Sequence, residues 1–249
     1  MEQKKLPKVQ VQNLTKRFGD LLVLDDISFQ VEDGEFLCIV GPTGCGKTTF
    51  LNSLTKLYDV TAGQILLDGE PIDLHKNNVA YIFQEYSTMP WLNIEENVGY
   101  GLKIKGVDPA VAKQRIDEVI RIVGLEKFRD YYPRQLSASM LQRVVIARAF
   151  ATEPELLLMD EPYGQLDLVL KYKLEDELLK LWEKTKTTVI FITHNIEEAV
   201  YLSDKIMVLS NKPTKIKTVI ENNLPRPRKI ADKEFIELRN EVTDLIKWW

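Results

Sequence analysis

The nine residues Gly-Pro-Thr-Gly-Cys-Gly-Lys-Thr-Thr at positions 41–49 constrain this chain more than anything else in it. They fit G-x-x-x-x-G-K-[ST], with Gly41, Gly46, Lys47 and Thr48 in the required places. Phosphate oxygens need several backbone N–H donors converging on one point, so the main chain must curve sharply and come close. Glycine permits the curvature and removes the side-chain obstruction. The context agrees. Residues 36–40 (Phe-Leu-Cys-Ile-Val) read as a buried strand before the loop, and residues 47–57 as a helix after it. That helix adds its N-terminal partial charge. The run Gly41, Pro42, Thr43, Gly44, Cys45, Gly46, Lys47, Thr48 and Thr49 is therefore assigned to phosphate binding. Lys47 reaches the outer phosphates, and the Thr48 hydroxyl is a Mg²⁺ ligand.

A second segment, Leu-Leu-Leu-Met-Asp-Glu-Pro at 156–162, sets two consecutive carboxylates at the end of an apolar strand. Such a pair is costly there without a cation or a partner. Asp160 is placed to hold the Mg²⁺ hydration shell and Glu161 to polarise an attacking water. A third strand, residues 188–192, is followed by His194, where the carboxyl edge of a parallel sheet faces a ligand. Between the last two strands, Leu170, Leu174, Leu178, Leu181 and Trp182 keep helical spacing over about 167–186. Strand, helix, strand with fully apolar strands signals right-handed crossovers and a parallel sheet.

Two regions depart from that alternation. Residues 8–35 carry alternating apolar and polar patterns and an Asp33-Gly34 turn, which predicts a small antiparallel sheet. Residues from about 93 to 150 read as mainly helical, punctuated by Gly106, Pro109 and Pro133, hence as a helical insertion. A last amphipathic helix, within 229–249, follows the linker Leu224-Pro225-Arg226-Pro227-Arg228. The expected domain is one unit spanning 1–249.

With 37 acidic and 33 basic residues, the chain makes no general electrostatic case for nucleic acid. Two cysteines, Cys38 and Cys45, are too few for a disulfide framework, and no second Cys or His cluster suggests zinc. The first residues carry charge without a following apolar stretch, unlike a signal peptide. No run approaches the roughly 20 apolar residues that span a bilayer.

Taken in order, these motifs resemble the ATP-binding-cassette family over nearly the whole chain. Phe18 lies where that family stacks adenine. The phosphate loop follows, then Gln84 after an apolar strand, Leu-Ser-Ala-Ser-Met-Leu-Gln-Arg at 136–143, Met-Asp-Glu-Pro, Asp167 after Gly-Gln-Leu, and His194. The resemblance implies an α/β fold: a P-loop NTPase core with a mostly parallel sheet, an N-terminal antiparallel β-subdomain and an inserted α-helical subdomain. It implies ATP and Mg²⁺ as cofactors and ATP hydrolysis coupled to transport. It implies a head-to-tail pair of such subunits. In that pair Ser137 and Ser139 face the partner's nucleotide, Asp167 crosses the interface, Gln84 senses Mg²⁺ and His194 contacts the γ-phosphate. The other partners implied are transmembrane permease subunits and, indirectly, a solute-binding protein, with the chain on the cytoplasmic face of the membrane. Met89-Pro90-Trp91-Leu92-Asn93 and the proline-arginine linker are similar to the nitrate, sulfonate and taurine importer branch. Thr193-His194-Asn195-Ile196-Glu197-Glu198-Ala199 is similar to an importer pattern with Asp in place of Asn195. Soluble cassette ATPases, separate-chain exporters and non-hydrolysing scaffolds stay as alternatives.

One departure stands out. The family signature has two glycines where this chain has Ala138 and Ser139. A slower homodimer follows, or a heterodimer in which another subunit supplies an ordinary signature.

Overall fold

The computed structural model describes residues 6–164 and 166–246. Two compact units emerge, one from the chain up to Asn77 and again from Thr188 on, the other from Asn78 to Thr187. In chain order the first unit opens with strands β1 (Val9–Phe18), β2 (Leu21–Val31) and β3 (Phe36–Val40), helix α1 (Lys47–Leu54), and strands β4 (Ala62–Leu67) and β5 (Glu70–Pro71). The second unit holds β6 (Val79–Ile82), helices α2 (Ile94–Ile104), α3 (Pro109–Ile122) and α4 (Ala138–Ala151), strand β7 (Leu156–Asp160) and helix α5 (Leu168–Thr185). The chain returns to the first unit through β8 (Thr188–Ile192), α6 (Ile196–Leu202), β9 (Lys205–Leu209), β10 (Ile216–Glu221) and α7 (Lys233–Ile246).

In the first unit β2, β1, β4 and β5 form an antiparallel sheet. Val9, Val11 and Leu14 on β1 and Val23, Ile27 and Val31 on β2 turn inward. The register slips after Val11, and at the slip Asn13 and Asp26 both adopt left-handed backbone, with Asn13 Nδ2 donating to Asp26 Oδ1 at 2.7 Å. Polar Asn and Asp tolerate that conformation, so the bulges twist the ribbon without heavy strain. The turn of this hairpin is Gly19-Asp20, and the Asp33-Gly34 turn expected from the sequence is present further on. Asp33-Gly34 closes a reverse turn, Glu35 N to Glu32 O at 3.1 Å with Gly34 at φ 76°, which delivers the chain from β2 into β3. Both turns require a residue with positive φ at the bend, so the pattern alone marks a turn and not its place in the topology.

Strand β3 is buried along its full length and pairs in parallel with β8 on one side and β9 on the other. This is the both-faces-covered environment that continuous apolar runs require. β10 adds an antiparallel edge with alternating half-buried and exposed residues. Helix α1 is shorter than predicted. Lys56 turns left-handed at φ 53° and Tyr58 N bonds back to Asn52 O at 3.0 Å, leaving Leu57 exposed.

In the second unit β6 and β7 pair in parallel, Val79 opposite Leu156 through Ile82 opposite Met159. The helices start where the sequence supplies caps. Asn93 and Glu96 form a reciprocal capping box on α2, Asp108 caps α3 with Pro109 as its first residue, and Asp167 caps α5. Gly106, at φ 64°, ends the turn after α2. Among the described residues no helix is long and apolar enough to cross a membrane.

Candidate functional site

The phosphate-loop residues sit at the carboxyl edge of β3, the edge from which the β8 strand also ends. Thr193 N donates to Ile39 O at 3.2 Å across that boundary. Glycine is required at Gly46, and the space at Gly41 is tight. Gly46 has φ 118°, and a Cβ there would lie 2.9 Å from Val23 Cγ1. At Gly41 a Cβ would meet Leu209 Cβ at 3.1 Å and Leu209 O at 3.2 Å. Thr214 Oγ1 donates to Cys45 O, so the turn between β9 and β10 braces the loop from behind. Lys47 folds back over it, with Nζ donating to Gly41 O at 3.0 Å and Pro42 O at 3.1 Å, and is almost wholly buried. Helix α1 has no side-chain cap and no acid in its first turn. Uncapped N–H groups beside an ammonium favour an anion, so the loop fits the phosphates of a nucleotide.

Phe18 ends β1 with its ring 43% exposed. It meets Tyr58 edge to face at 5.3 Å between centroids, and Lys16 Nζ lies 4.7 Å over the Phe18 ring. Neither Tyr58 nor Lys16 carries any local signal of this in the sequence. They meet Phe18 through the β1 register and the end of α1. His194 is exposed two residues beyond the end of β8. The next residue, Asn195, accepts from Glu197 N at 2.9 Å and Glu198 N at 3.3 Å and so starts α6. Behind it Thr193 Oγ1 bonds the buried Glu198 carboxylate and accepts from Asn195 N.

In the second unit Asp160 closes β7, 6% exposed, and receives a long hydrogen bond from Tyr81 Oη at 3.5 Å. Glu161 follows at φ 44°, a left-handed conformation uncommon for a residue with a side chain. Gly164 N donates to Glu161 O at 3.1 Å. The exposed Gln84, two residues beyond β6, has its amide nitrogen 3.8 Å from the position of a Cβ on Gly164. Gln84 and the Asp160–Gly164 turn are therefore neighbours. The loop after Gln84 is held by Arg148 of α4, which donates to Ser87 O at 2.8 Å and Ser87 Oγ at 2.7 Å. Burial pushes the Arg148 guanidinium down from its ordinary range.

Ser137 caps α4, accepting from Met140 N at 3.3 Å. Ser139 turns inward. Its side chain is buried and lies 3.1 Å, oxygen to oxygen, from Ser137 Oγ, while Ser137 and Ala138 are exposed. Asp167 is exposed and caps α5 through Leu170 N at 3.1 Å. Trp91 is 71% exposed. The fully buried Asn97 holds the segment that presents it, donating to Met89 O at 3.1 Å, Leu92 O at 2.9 Å and Asn93 O at 2.9 Å and accepting from Met89 N at 2.8 Å. A polar residue in the Ile94, Val98, Leu102 stripe was the one sequence sign of that role.

No group of three or more His, Cys, Asp or Glu side chains among the described residues could hold a metal ion. Magnesium is held largely by water and substrate phosphates and needs only one or two protein ligands, so a larger acidic cluster is not required for it.

The ABC transporter family profile matches residues 24–164. An uncharacterized ABC transporter ATP-binding protein of Methanocaldococcus jannaschii is 43% identical over 244 residues, covering 96% of this chain and 91% of that protein. The aliphatic sulfonates import ATP-binding protein SsuB of Bacillus cereus is 43% identical over 228 residues, covering 92% and 90%. A solved dimeric ATP-binding cassette in a post-hydrolysis state, bound to ADP and Pi, superposes with a TM-score of 0.75 at 29% identity, over 87% of this chain and all of that one.

Proposed function

The chain belongs to the ABC transporter family and is an ATP-binding, ATP-hydrolysing subunit, and on that premise we propose that it powers the import of small organic sulfonates or closely related anions. The observation that carries the proposal is the 43% identity, across 92% of the chain, to an aliphatic sulfonates import protein. The exposed Trp91 on its Asn97-braced loop supports it, as an apolar surface suited to a membrane partner.

The residues take the following parts. Gly41–Thr49 cradle the phosphates, Lys47 pairs with the outer two, and the Phe18 ring stacks on adenine. Thr48, Asp160 and Gln84 hold Mg²⁺, which when bound neutralises charge on the phosphate oxygens. Glu161 orients the attacking water and draws its proton. His194 donates to the γ-phosphate oxygens as charge moves onto the leaving group. Ser137 reaches the nucleotide of a second copy or of a related subunit, and Asp167 crosses to it. The chain is peripheral, docked on permease subunits at the cytoplasmic face of the membrane and served indirectly by a solute-binding protein. The Ser137–Ser139 contact, in which either hydroxyl can be the donor, supports a slow signature site in the arrangement where Ser137 donates and its proton is turned from the nucleotide.

The test is affinity purification of the full chain with its membrane complex and reconstitution into vesicles. Import predicts that ATP drives uptake of an alkanesulfonate and that a sulfonate-loaded binding protein stimulates hydrolysis. ATP-driven efflux, or stimulation by none of the sulfonates, taurine or nitrate, would overturn the reading.

A further inference from the structure

The proline-arginine segment after β10 is not a solvated linker. Arg228 is 7% exposed, and its guanidinium donates to Val200 O at 2.8 Å, Tyr201 O at 2.9 Å and Ser203 O at 2.7 Å, with further bonds to Leu224 O at 3.1 Å and Asn222 O at 3.4 Å. Arg226 donates to the remaining carbonyl of the series, Leu202 O, at 2.6 Å and to Asp204 Oδ1 at 2.6 Å. Asn222 Nδ2 adds a second donor to Val200 O at 2.8 Å. The last four carbonyls of a helix have no partner within it. Here the two arginines reach carbonyls 200 to 203, the closing stretch of α6.

Helix α6 has seven residues, about two turns, too short to hold itself together in water. Its geometry is set from its ends. At the N-terminal end stand His194, the Asn195 cap and the Thr193–Glu198 bond. At the C-terminal end stands the arginine clamp, whose positive charge also suits the negative end of the helix dipole. On the flank, α7 brings Arg239 to 3.7 Å from Glu197. A slip of one residue along a helix displaces a side chain by about 1.5 Å and rotates it by about 100°. A bidentate clamp on consecutive carbonyls forbids that slip. Stability alone does not call for a buried cation here: burial pushes Arg228 down to about 10, so its charge is held at a cost.

We propose that Arg226 and Arg228 are positioning residues for His194, fixing the far end of α6 so that the imidazole is presented to the terminal phosphate in one register. The inference rests on the reading of His194 given above, and it assigns the proline-arginine segment a part in hydrolysis.

The experiment compares Arg228→Gln, Arg228→Lys, Arg226→Gln, His194→Ala and the double variant Arg228→Gln/His194→Ala in the full chain. The readouts are kcat, KM for ATP, equilibrium nucleotide binding and thermal unfolding. A 1 Å misplacement can cost about 100-fold in rate. Arg228→Gln is expected to lower kcat by about 10- to 100-fold, with KM and nucleotide affinity within about twofold. Arg228→Lys, which keeps the charge but not the fork, should recover only part of the loss. In the His194→Ala background, Arg228→Gln should change nothing further. The chain has only two histidines, His75 and His194, so imidazole resonances give a readout independent of turnover. Arg228→Gln should move the His194 signals and leave those of His75 in place. Unchanged kcat and unchanged His194 signals in a folded Arg228→Gln protein would overturn the proposal. So would an additive loss in the double variant, or a fall in kcat and nucleotide binding together. If Arg228→Gln does not fold, the same outcomes in Arg226→Gln, whose side chain is more exposed, decide it. Full activity in His194→Ala would instead sink the reading of His194 itself.

Discussion

Replacing Arg143 by Met would strand a carboxylate between two helices. Arg143 of α4 donates from Nε at 2.9 Å and from a terminal nitrogen at 2.8 Å to the two oxygens of Glu177 on α5. Both side chains are nearly covered, 13% and 12% exposed. Burial raises the Glu177 pKa above the ordinary carboxylate range, although Arg143, Lys173 and Lys180 all pull it down. Deleting one member of such a pair costs about 3–5 kcal/mol, while replacing both with apolar residues of similar size is close to neutral. A loss of about 3 kcal/mol in a chain of this size lowers Tm by about 6–12 °C. The assay is thermal unfolding by circular dichroism of Arg143→Met, Glu177→Leu and the double variant. Arg143→Met should show the full drop and the double variant should recover most of it. The pH dependence has a fixed sign. An acid whose folded pKa is raised costs stability above that pKa, and the cost vanishes as pH falls below the unfolded value near 4.3. Losing Arg143 raises the Glu177 pKa further. The deficit of Arg143→Met should therefore shrink as pH falls from about 7.5 toward about 5. A single variant within about 1 kcal/mol of the parent would refute the reasoning. So would a double variant as unstable as Arg143→Met, or a deficit that grows in acid.

Gly46→Ala places a methyl 2.9 Å from Val23 Cγ1 at φ 118°, so the loop must rearrange. Strain of roughly 1–3 kcal/mol should appear as nucleotide binding weaker by about 5- to 150-fold, measured with a fluorescent ATP analogue, and unchanged affinity would contradict the tight fit. Ser139→Gly removes the hydroxyl that engages Ser137 Oγ. Freed of a hydrogen bond worth about 1 kcal/mol, Ser137 should raise the steady-state ATPase rate of the assembled protein several-fold, more so with Ala138→Gly. An unchanged rate would show that the serine pair does not limit turnover.

The phosphate loop was legible because its glycines answer to geometry. A Cβ at Gly46 collides and one at Gly41 is crowded, and the sequence records that demand at a fixed spacing. The buried strands 36–40 and 188–192 were legible for a related reason, since both faces are covered and every residue must be apolar. The Asp33-Gly34 turn was legible, whereas the Gly19-Asp20 turn that closes the hairpin was not singled out, although it too bends through a positive-φ glycine. Contacts of long sequence separation left no trace. Nothing near Phe18 announces Tyr58, and nothing near Ser87 announces Arg148. The inward turn of Ser139 and the reach of Arg228 back to α6 depend on packing that no local pattern encodes. The final Trp248 and Trp249, read in the sequence as part of an amphipathic helix, lie outside the described residues.

The central claim is that Glu161, left-handed at the end of β7, drives Mg²⁺-dependent ATP hydrolysis. The direct measurement is hydrolysis by the purified full chain beside Glu161→Gln, with the mass of each in ATP recorded by light scattering. Hydrolysis is expected to fall by at least about 100-fold in Glu161→Gln, while that variant still binds ATP and accumulates at twice the mass of the chain. Hydrolysis at the parent rate in Glu161→Gln would contradict it.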